Sequence, residues 1–247
     1  MPKTAHQKAA MSTHSHSPAH RTHRHRKASM TTIRSAGAAL AAALTVLAAT
    51  ACQPATAHAD TLTAGARSAR AVLDTLTVRT EDTGAHYLRA DWGGWSRPAG
   101  AGGCDTRARV LLRDAAPGSI RRGPGCRIGA GVWVSSYDRT RITDPRGVQI
   151  DHRVPVREAQ RSGARGWTPA QRARFYNDPA NLIAVSAHAN TSKGDDDPGR
   201  WRPPNRAAWC GYASAYVATK RTYRLTVDPA ERAGLGAMLN TCPGGAR

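Results

Sequence analysis

Histidine is scarce in most of this sequence, and no two cysteines are separated by just two residues. Of the 10 histidines, only His86, His152 and His188 lie beyond residue 59. This scarcity argues against a zinc centre built from several histidines. The lack of a Cys-x-x-Cys pair argues in the same way against a four-cysteine zinc site.

Acidic residues are absent from the first 59 positions. Residues 1–34 carry seven Lys or Arg and six His, an uncharged run follows from Ala36 to Ala51, and Ala57-His58-Ala59 has the small-x-small form of a cleavage site. This order is typical of a secretory signal, and the apolar run is shorter than the roughly 20 residues of a membrane span. We therefore predict a signal peptide at 1–59, with Met30 as an alternative start, a secreted protein and no membrane span.

The cysteine count agrees with export. Cys52 lies in the predicted signal region, where lipid anchoring through its thiol is the minority alternative to free secretion. The other four, an even number in a secreted chain, predict disulfide bonds. Three pairings are open, and proximity in sequence favours Cys104–Cys126 and Cys210–Cys242.

The charge of the predicted secreted form is strongly positive. The whole chain carries +19, and the 29 Lys and Arg against 17 Asp and Glu of residues 60–247 leave +12. Such a balance suits DNA, RNA or an anionic cell surface as a partner. Charge alone does not choose among these partners, and it also serves solubility.

Apolar patterns and turn residues predict an α+β fold. Residues 60–83 are a variable N-terminal segment that includes a short helix at 66–76, and residues 84–247 are the main domain. Strands are predicted at Gly131–Tyr137, Val148–Ile150 and Leu182–Val185. Helices are predicted from Pro155 to about Arg161, after Thr168-Pro169, at Ala187–Lys193 between Ser186 and Gly194, after Asn205, and after Asp228-Pro229.

An acid and an imidazole stand together where the second of these strands ends, at Asp151-His152. Side chains of neighbouring strand residues point to opposite faces, so both can address one site only where the strand ends or bends, and Pro155 marks such a place. Histidine is a suitable general base near neutral pH. A hard cation such as Mg²⁺ can be held by one carboxylate and one amide oxygen, because it keeps several waters.

The motifs Asp151-His152-x-x-Pro155, Asn181-Leu182 and Asn190-x-x-Lys193-Gly194-Asp195 together resemble the HNH, or ββα-metal, endonucleases. The sequence is more closely similar to secreted bacterial HNH proteins related to the C-terminal domain of the GmrSD restriction endonucleases. The resemblance covers most of Cys104 to Cys242, including the four cysteines and Trp201-x-Pro203-Pro204. It implies a ββα-metal core with added N-terminal strands and a helix, two C-terminal helices and disulfide staples.

The resemblance also implies roles for single residues. Asp151 and Asn190 would ligate one Mg²⁺ or Mn²⁺, His152 would be the general base, and Asn181 would hold the metal loop or orient His152. His188, two residues before Asn190, competes for the second ligand role. The flanking charges have less specific roles: Arg107, Arg153 and Lys193 as phosphate contacts, and Glu158 as a supporting residue behind the site.

These expectations define a secreted, metal-dependent HNH endonuclease that hydrolyses phosphodiester bonds of DNA, and of RNA as a further substrate. The alternative is a non-catalytic secreted basic protein that binds nucleic acid or an anionic cell surface. The sequence does not predict an oligomeric state.

Overall fold

The structure, a computed structural model, describes residues 65–243 except 66 and 85. The predicted signal peptide, Met30 and Cys52 lie outside the described residues. The strands are β1 (Arg121–Arg122), β2 (Ile128–Ala130), β3 (Trp133–Val134), β4 (Arg141–Ile142), β5 (Val148–His152) and β6 (Leu182–Ser186). The helices are α1 (residues 67–75), α2 (Thr106–Asp114), α3 (Val156–Arg161), α4 (Pro169–Tyr176), α5 (Ala187–Lys193), α6 (Trp209–Thr222) and α7 (Pro229–Leu239). The mixed α+β class predicted from the sequence is confirmed.

Strands β5 and β6 form the longest ladder. They are antiparallel, with Val148 opposite Ser186 and His152 opposite Leu182. Helices α3 and α4 are inserted between the two strands, and α5 follows β6 directly. Two shorter antiparallel pairs, β1 with β2 and β3 with β4, precede this unit in the chain.

The two faces of the β5–β6 ladder are both covered. Val148 and Ile150 pack with Val110 and Leu111 of α2 in a smaller apolar cluster. Val185 belongs to the larger cluster, which is built mainly from α1, α4, α6 and α7. The two-stranded ladder that carries the site therefore contacts an apolar cluster on each face, as its alternating side chains require.

Helix ends agree closely with the capping signals in the sequence. The Ser186 hydroxyl accepts from Ala189 N at 3.0 Å and begins α5, which ends at Gly194 with a φ of 53°. Thr168 and Gln171 form a reciprocal capping box on α4. Asp228 accepts from two backbone amides at the start of α7. These local hydrogen bonds satisfy amide groups that a helix leaves unpaired at its first turn.

One predicted strand is much shorter in the structure. The extended segment within Gly131–Tyr137 is only Trp133–Val134, because the chain turns after Ser135. Arg139 takes a φ of 64°, and its amide donates to Ser135 O at 2.8 Å to close that turn. The turn buries Tyr137, which leaves the sheet and reaches the site described below.

Both disulfides have the predicted pairing. Cys104–Cys126 links the start of α2 to the segment before β2, and Cys210–Cys242 links α6 to the residue run after α7. No helix among residues 65–243, leaving aside 66 and 85, is long and apolar enough to cross a membrane. The boundary predicted at residue 83 stays a prediction, although Leu73 of α1 is buried in the larger cluster and Arg79 N donates to Val227 O at 2.8 Å.

Candidate active site

Asp151 lies near the end of β5 with both carboxylate oxygens engaged. Its side chain is almost fully buried. Oδ2 accepts from the Tyr137 hydroxyl at 2.7 Å, and Oδ1 accepts from the Lys193 ammonium at 2.9 Å. A carboxylate offers about four lone-pair sites, so these two contacts fix its orientation and leave acceptor capacity.

His152 is the last residue of β5, and its ring is held by contacts on several sides. The ring stacks on Trp95 with centroids 5.8 Å apart and on Phe175 at 6.1 Å. Nε2 lies 2.8 Å from the backbone oxygen of Tyr176. A carbonyl oxygen can only accept, so Nε2 carries the hydrogen and Nδ1 of the neutral ring is left as an acceptor.

The pKa of His152 is lowered to about 3, mainly by burial and in smaller part by the positive charges of Arg89 and Lys193. The hydrogen bond to Tyr176 opposes this shift. A buried imidazole loses the hydration that stabilises its charged form, so the ring is neutral at physiological pH. A neutral imidazole is the form that can accept a proton.

Asn181 fastens the chain just after His152. Its Oδ1 accepts from Val154 N at 2.9 Å, and its Nδ2 donates to Val154 O at 3.1 Å. Its own backbone oxygen accepts from Arg153 N at 2.8 Å. Since Asn181 is fully buried, these bonds replace hydration that the Val154 peptide groups would otherwise lose without compensation.

A polar cavity of about 220 Å³ brings several of these side chains together. Its lining includes Asp151, His152 and Asn190, together with Asp195 and Arg89. Neighbouring residues Asp151 and His152 thus reach one space at the strand end, as their position predicts. A larger cavity of about 290 Å³ lies around Trp167 and Tyr223, but no carboxylate or imidazole lines it.

His188 is exposed and does not line the cavity that Asn190 lines. The two residues lie two positions apart on α5, so their side chains face different directions. Between the two candidates, the geometry therefore favours Asn190 as the side chain that faces Asp151.

The three residues predicted to contact phosphate donate hydrogen bonds to other groups of the protein. The Lys193 side chain is fully buried and donates to Asp151 and to the His152 backbone oxygen, which does not support a contact with a flanking phosphate. Arg107 donates to the backbone oxygens of Pro145 and Val148 at 2.9 and 2.8 Å. Arg153 donates to the backbone oxygens of Ala180 and Leu182 at 3.0 and 3.1 Å. These arginines brace the turn before β5 and the entry to β6.

Glu158 is likewise committed to the interior and does not line the cavity. Its Oε1 accepts from the buried Lys220 ammonium at 2.7 Å, and its Oε2 from Arg161 at 2.8 Å. The same arginine donates to Asp195 O at 2.9 Å. Glu158 therefore reaches the cavity only through Arg161 and the backbone of Asp195.

A second group of acids lies outside this cavity. Carboxylate oxygens of Glu81, Asp197 and Asp228 lie within 4.8 Å of one another. Arg161 lies 3.1 Å from the Glu81 carboxylate, and the Asp228 carboxylate caps α7. The positive charge of Arg161 and the backbone amides at the start of α7 therefore stabilise the negative charges of Glu81 and Asp228 without a metal ion.

Three contributors were not predicted from the sequence: Tyr137, which holds Asp151; Tyr176, which holds His152; and Arg89, which lines the cavity. The Tyr137–Asp151 and His152–Tyr176 contacts join residues 14 and 24 positions apart, and the Arg89–Tyr176 contact joins residues 87 positions apart. No local spacing in the sequence signals contacts over such separations. An arginine in a Gly- and Trp-rich segment offers no pattern by which the sequence could mark it.

Comparison with known proteins places the chain in a family. Residues 129–237 match the family described as GmrSD restriction endonucleases, C-terminal domain. An "Uncharacterized secreted protein" from Arthroderma benhamiae is 39% identical over 179 residues, which make up 72% of this chain and 86% of that protein. No solved structure matches.

The relative comes from a fungus, so the resemblance is not specific to bacterial proteins. Its description as secreted and the two disulfide bonds confirm the prediction that this protein is secreted. A nuclease family implies nucleic acid as the substrate class. The chain carries a nuclease-related domain and belongs to the GmrSD restriction endonuclease C-terminal domain family.

Proposed function

We propose that this secreted protein is a metal-dependent HNH endonuclease that hydrolyses phosphodiester bonds of DNA, with RNA as a further substrate. The observation that carries the proposal is the convergence of Asp151, His152 and Asn190 on one polar cavity. The order β5, β6, α5 is consistent with a ββα-metal core, in which two antiparallel strands and the following helix surround the site.

The residues present fit a hard divalent cation. Asp151 and Asn190 supply a carboxylate and an amide oxygen, which are the ligand types that Mg²⁺ and Mn²⁺ prefer. Asp151 keeps acceptor capacity beyond its bonds to Tyr137 and Lys193. When bound there, the cation would stabilise the negative charge that develops on the leaving oxygen.

His152 is suited to take a proton from the attacking water. Its hydrogen bond to Tyr176 O sets the tautomer, so Nδ1 is the acceptor atom. The anionic phosphate of a bound substrate would favour the imidazolium that forms, and so would offset the effect of burial on the base. Asn181 keeps the backbone after His152 in place while this happens.

Charge supports nucleic acid as the substrate. The net charge of +12 on residues 60–247 would attract a polyanion, and the contacts would be sequence-independent phosphate contacts.

One contact favours the alternative of a non-catalytic binding protein. The buried ammonium of Lys193 already neutralises Asp151, and an added cation at that carboxylate would experience its repulsion. In that case positive charge alone would retain nucleic acid, and retention would fall steeply with salt.

Incubation of the purified, disulfide-bonded secreted protein with supercoiled plasmid distinguishes the two functions. The endonuclease proposal predicts nicking in Mg²⁺ or Mn²⁺ that EDTA stops. The binding alternative predicts salt-sensitive retention of plasmid that remains intact with either metal.

A further inference from the structure

Arg89 reaches the cavity from a segment that precedes the matched family region of 129–237. It begins a short 3₁₀ turn, Arg89–Trp92, whose last residue is buried. The Trp92 ring contacts Trp167 and Phe175 with centroids 5.8 and 5.6 Å apart. These contacts fix the turn against α4, so Arg89 is held beside the site by packed structure.

The guanidinium of Arg89 has no carboxylate partner within the described part of the chain. It donates to the Tyr176 hydroxyl at 3.3 Å and lies 5.3 Å from the centroid of that ring. Two other cations close to the site are paired: Lys193 with Asp151, and Arg157 with Asp195 at 3.2 Å. Arg89 therefore brings an uncompensated positive charge to the cavity.

Tyr176 connects this charge to the base. Its backbone oxygen accepts from His152, and its side-chain hydroxyl accepts from Arg89. One residue at the end of α4 thus positions both groups, and they line the same cavity as Asp151. An anion that enters the space between Asp151 and His152 would meet the Arg89 guanidinium.

We propose that Arg89 binds the non-bridging oxygens of the scissile phosphate and stabilises the charge that builds on them during hydrolysis. This inference rests on the proposed endonuclease function. A guanidinium has a planar set of donors that matches phosphate oxygens, and hydrogen bonds from a charged donor to an anionic oxygen are stronger than those between neutral groups. The segment before residue 129 then contributes a catalytic residue, and the matched family region alone is an incomplete site.

A matched set of variants tests the assignment. Arg89→Gln removes the charge, Arg89→Lys keeps the charge without the planar fork, and Arg97→Gln removes an exposed charge eight residues along the chain. Each is assayed in Mg²⁺ on plasmid and on thymidine 5′-(p-nitrophenyl phosphate), a diester with one phosphate and no flanking one. Thermal unfolding of each variant reports whether it is folded.

We expect Arg89→Gln to lower kcat/KM about 100-fold on both substrates, as the loss of a transition-state donor does. Arg89→Lys should fall between this variant and the original protein. Arg97→Gln should stay within about twofold on the single-phosphate substrate, since one distant surface charge acts mainly on a polyanion.

Equal activity of Arg89→Gln and Arg97→Gln on the single-phosphate substrate would overturn the assignment. So would a loss confined to plasmid, because that pattern belongs to a flanking phosphate. Should Arg89→Gln fail to fold, Arg89→Lys decides: full activity on the small diester overturns the role, and a loss in the folded variant supports it. Absence of cleavage by the original protein would instead overturn the endonuclease proposal, and this one with it.

Discussion

The Nε2 atom of His152 donates its hydrogen to the backbone oxygen of Tyr176 across 2.8 Å. This bond joins the last residue of β5 to the last residue of α4, the second of the two helices inserted between the site strands. It determines which ring nitrogen can accept a proton, and the buried surroundings keep the ring neutral. The insertion between β5 and β6 therefore contributes directly to the orientation of the proposed base.

Both the amide oxygen and the amide nitrogen of Asn181 should be needed for stability and for cleavage. Asn181→Asp keeps an acceptor for Val154 N but cannot donate to Val154 O when ionised. We expect the free energy of unfolding to fall by about 1–3 kcal/mol, because a buried backbone oxygen loses its partner. Cleavage should fall at least about tenfold in the folded variant, since the chain after His152 is no longer held in place.

Urea unfolding and a plasmid assay measure both effects. Asn240→Ala is the control, because Asn240 is exposed at the end of α7 and bonds Arg70, away from β5. Unchanged stability and cleavage in Asn181→Asp would show that the hydrogen bonds between Asn181 and Val154 do not have this role.

Substitution of Asn190 should weaken metal binding, and substitution of His188 should not. Asn190→Ala should weaken Mn²⁺ binding by about tenfold or more, because it removes one of two proposed oxygen ligands. His188→Ala should leave the affinity unchanged, since His188 is exposed and lies outside the cavity lining. Titration calorimetry with Mn²⁺ compares them, and the reverse ranking would move the ligand role to His188.

The Glu231 carboxyl should make stability depend on pH. Lys220 lies 2.8 Å from its carboxylate and also pairs with Glu158, so two buried acids share one ammonium. Burial raises the pKa of Glu231 to about 7, with the negative charge of Glu158 acting in the same direction. A folded-state pKa above the usual 4.5 means that this contribution to stability is present below about pH 4.5 and is lost as the pH rises through 7.

Glu231→Gln should therefore flatten the pH dependence of the unfolding free energy between pH 5 and 8, with a difference on the order of 1–3 kcal/mol across that range. Asp74→Asn is the control, because Asp74 is an exposed partner of Arg232. If the unfolding free energies of the original protein and of Glu231→Gln changed with pH in the same way, Glu231 would not be the source of the pH dependence.

Removal of the Cys210–Cys242 bridge should destabilise the packing of α6 and α7. The bridge closes 32 residues, for which the chain-entropy model gives about 3–4 kcal/mol. The double variant Cys210→Ala/Cys242→Ala should lose about this much in urea unfolding and still cleave DNA at low temperature, since neither cysteine lines the cavity. The matching variant at Cys104 and Cys126 is the comparison, because that loop spans 22 residues. A loss of cleavage in folded protein would contradict a purely structural role.

Local sequence signals predicted where the helices and strands around the site begin or end. Ser186, Thr168 and Asp228 begin helices where their capping patterns place them, because a cap depends on residues only two or three positions away. The predicted strand Val148–Ile150 lies within β5, which continues for two more residues to His152, and Pro155 indicated that the strand ends close by. These features need no information from distant parts of the chain.

The partners of the site residues could not be predicted in this way. A sequence does not tell an arginine that meets a phosphate from Arg107, which braces backbone oxygens 38 and 41 residues away. Lys193 shares a helix face with Asn190 at i, i+3 spacing, yet tertiary packing buries it against Asp151. Tyr137 reaches Asp151 because a turn after β3 removes it from the predicted strand.

The cleavage rate of His152→Ala in Mg²⁺, compared with that of the original protein, tests the central claim most directly. His152 is buried but borders the cavity, so circular dichroism should first establish that the variant is folded. Loss of the proposed base should slow plasmid cleavage by about 10²–10⁴-fold, and EDTA should abolish cleavage by the original protein. Undiminished cleavage by folded His152→Ala would contradict the account.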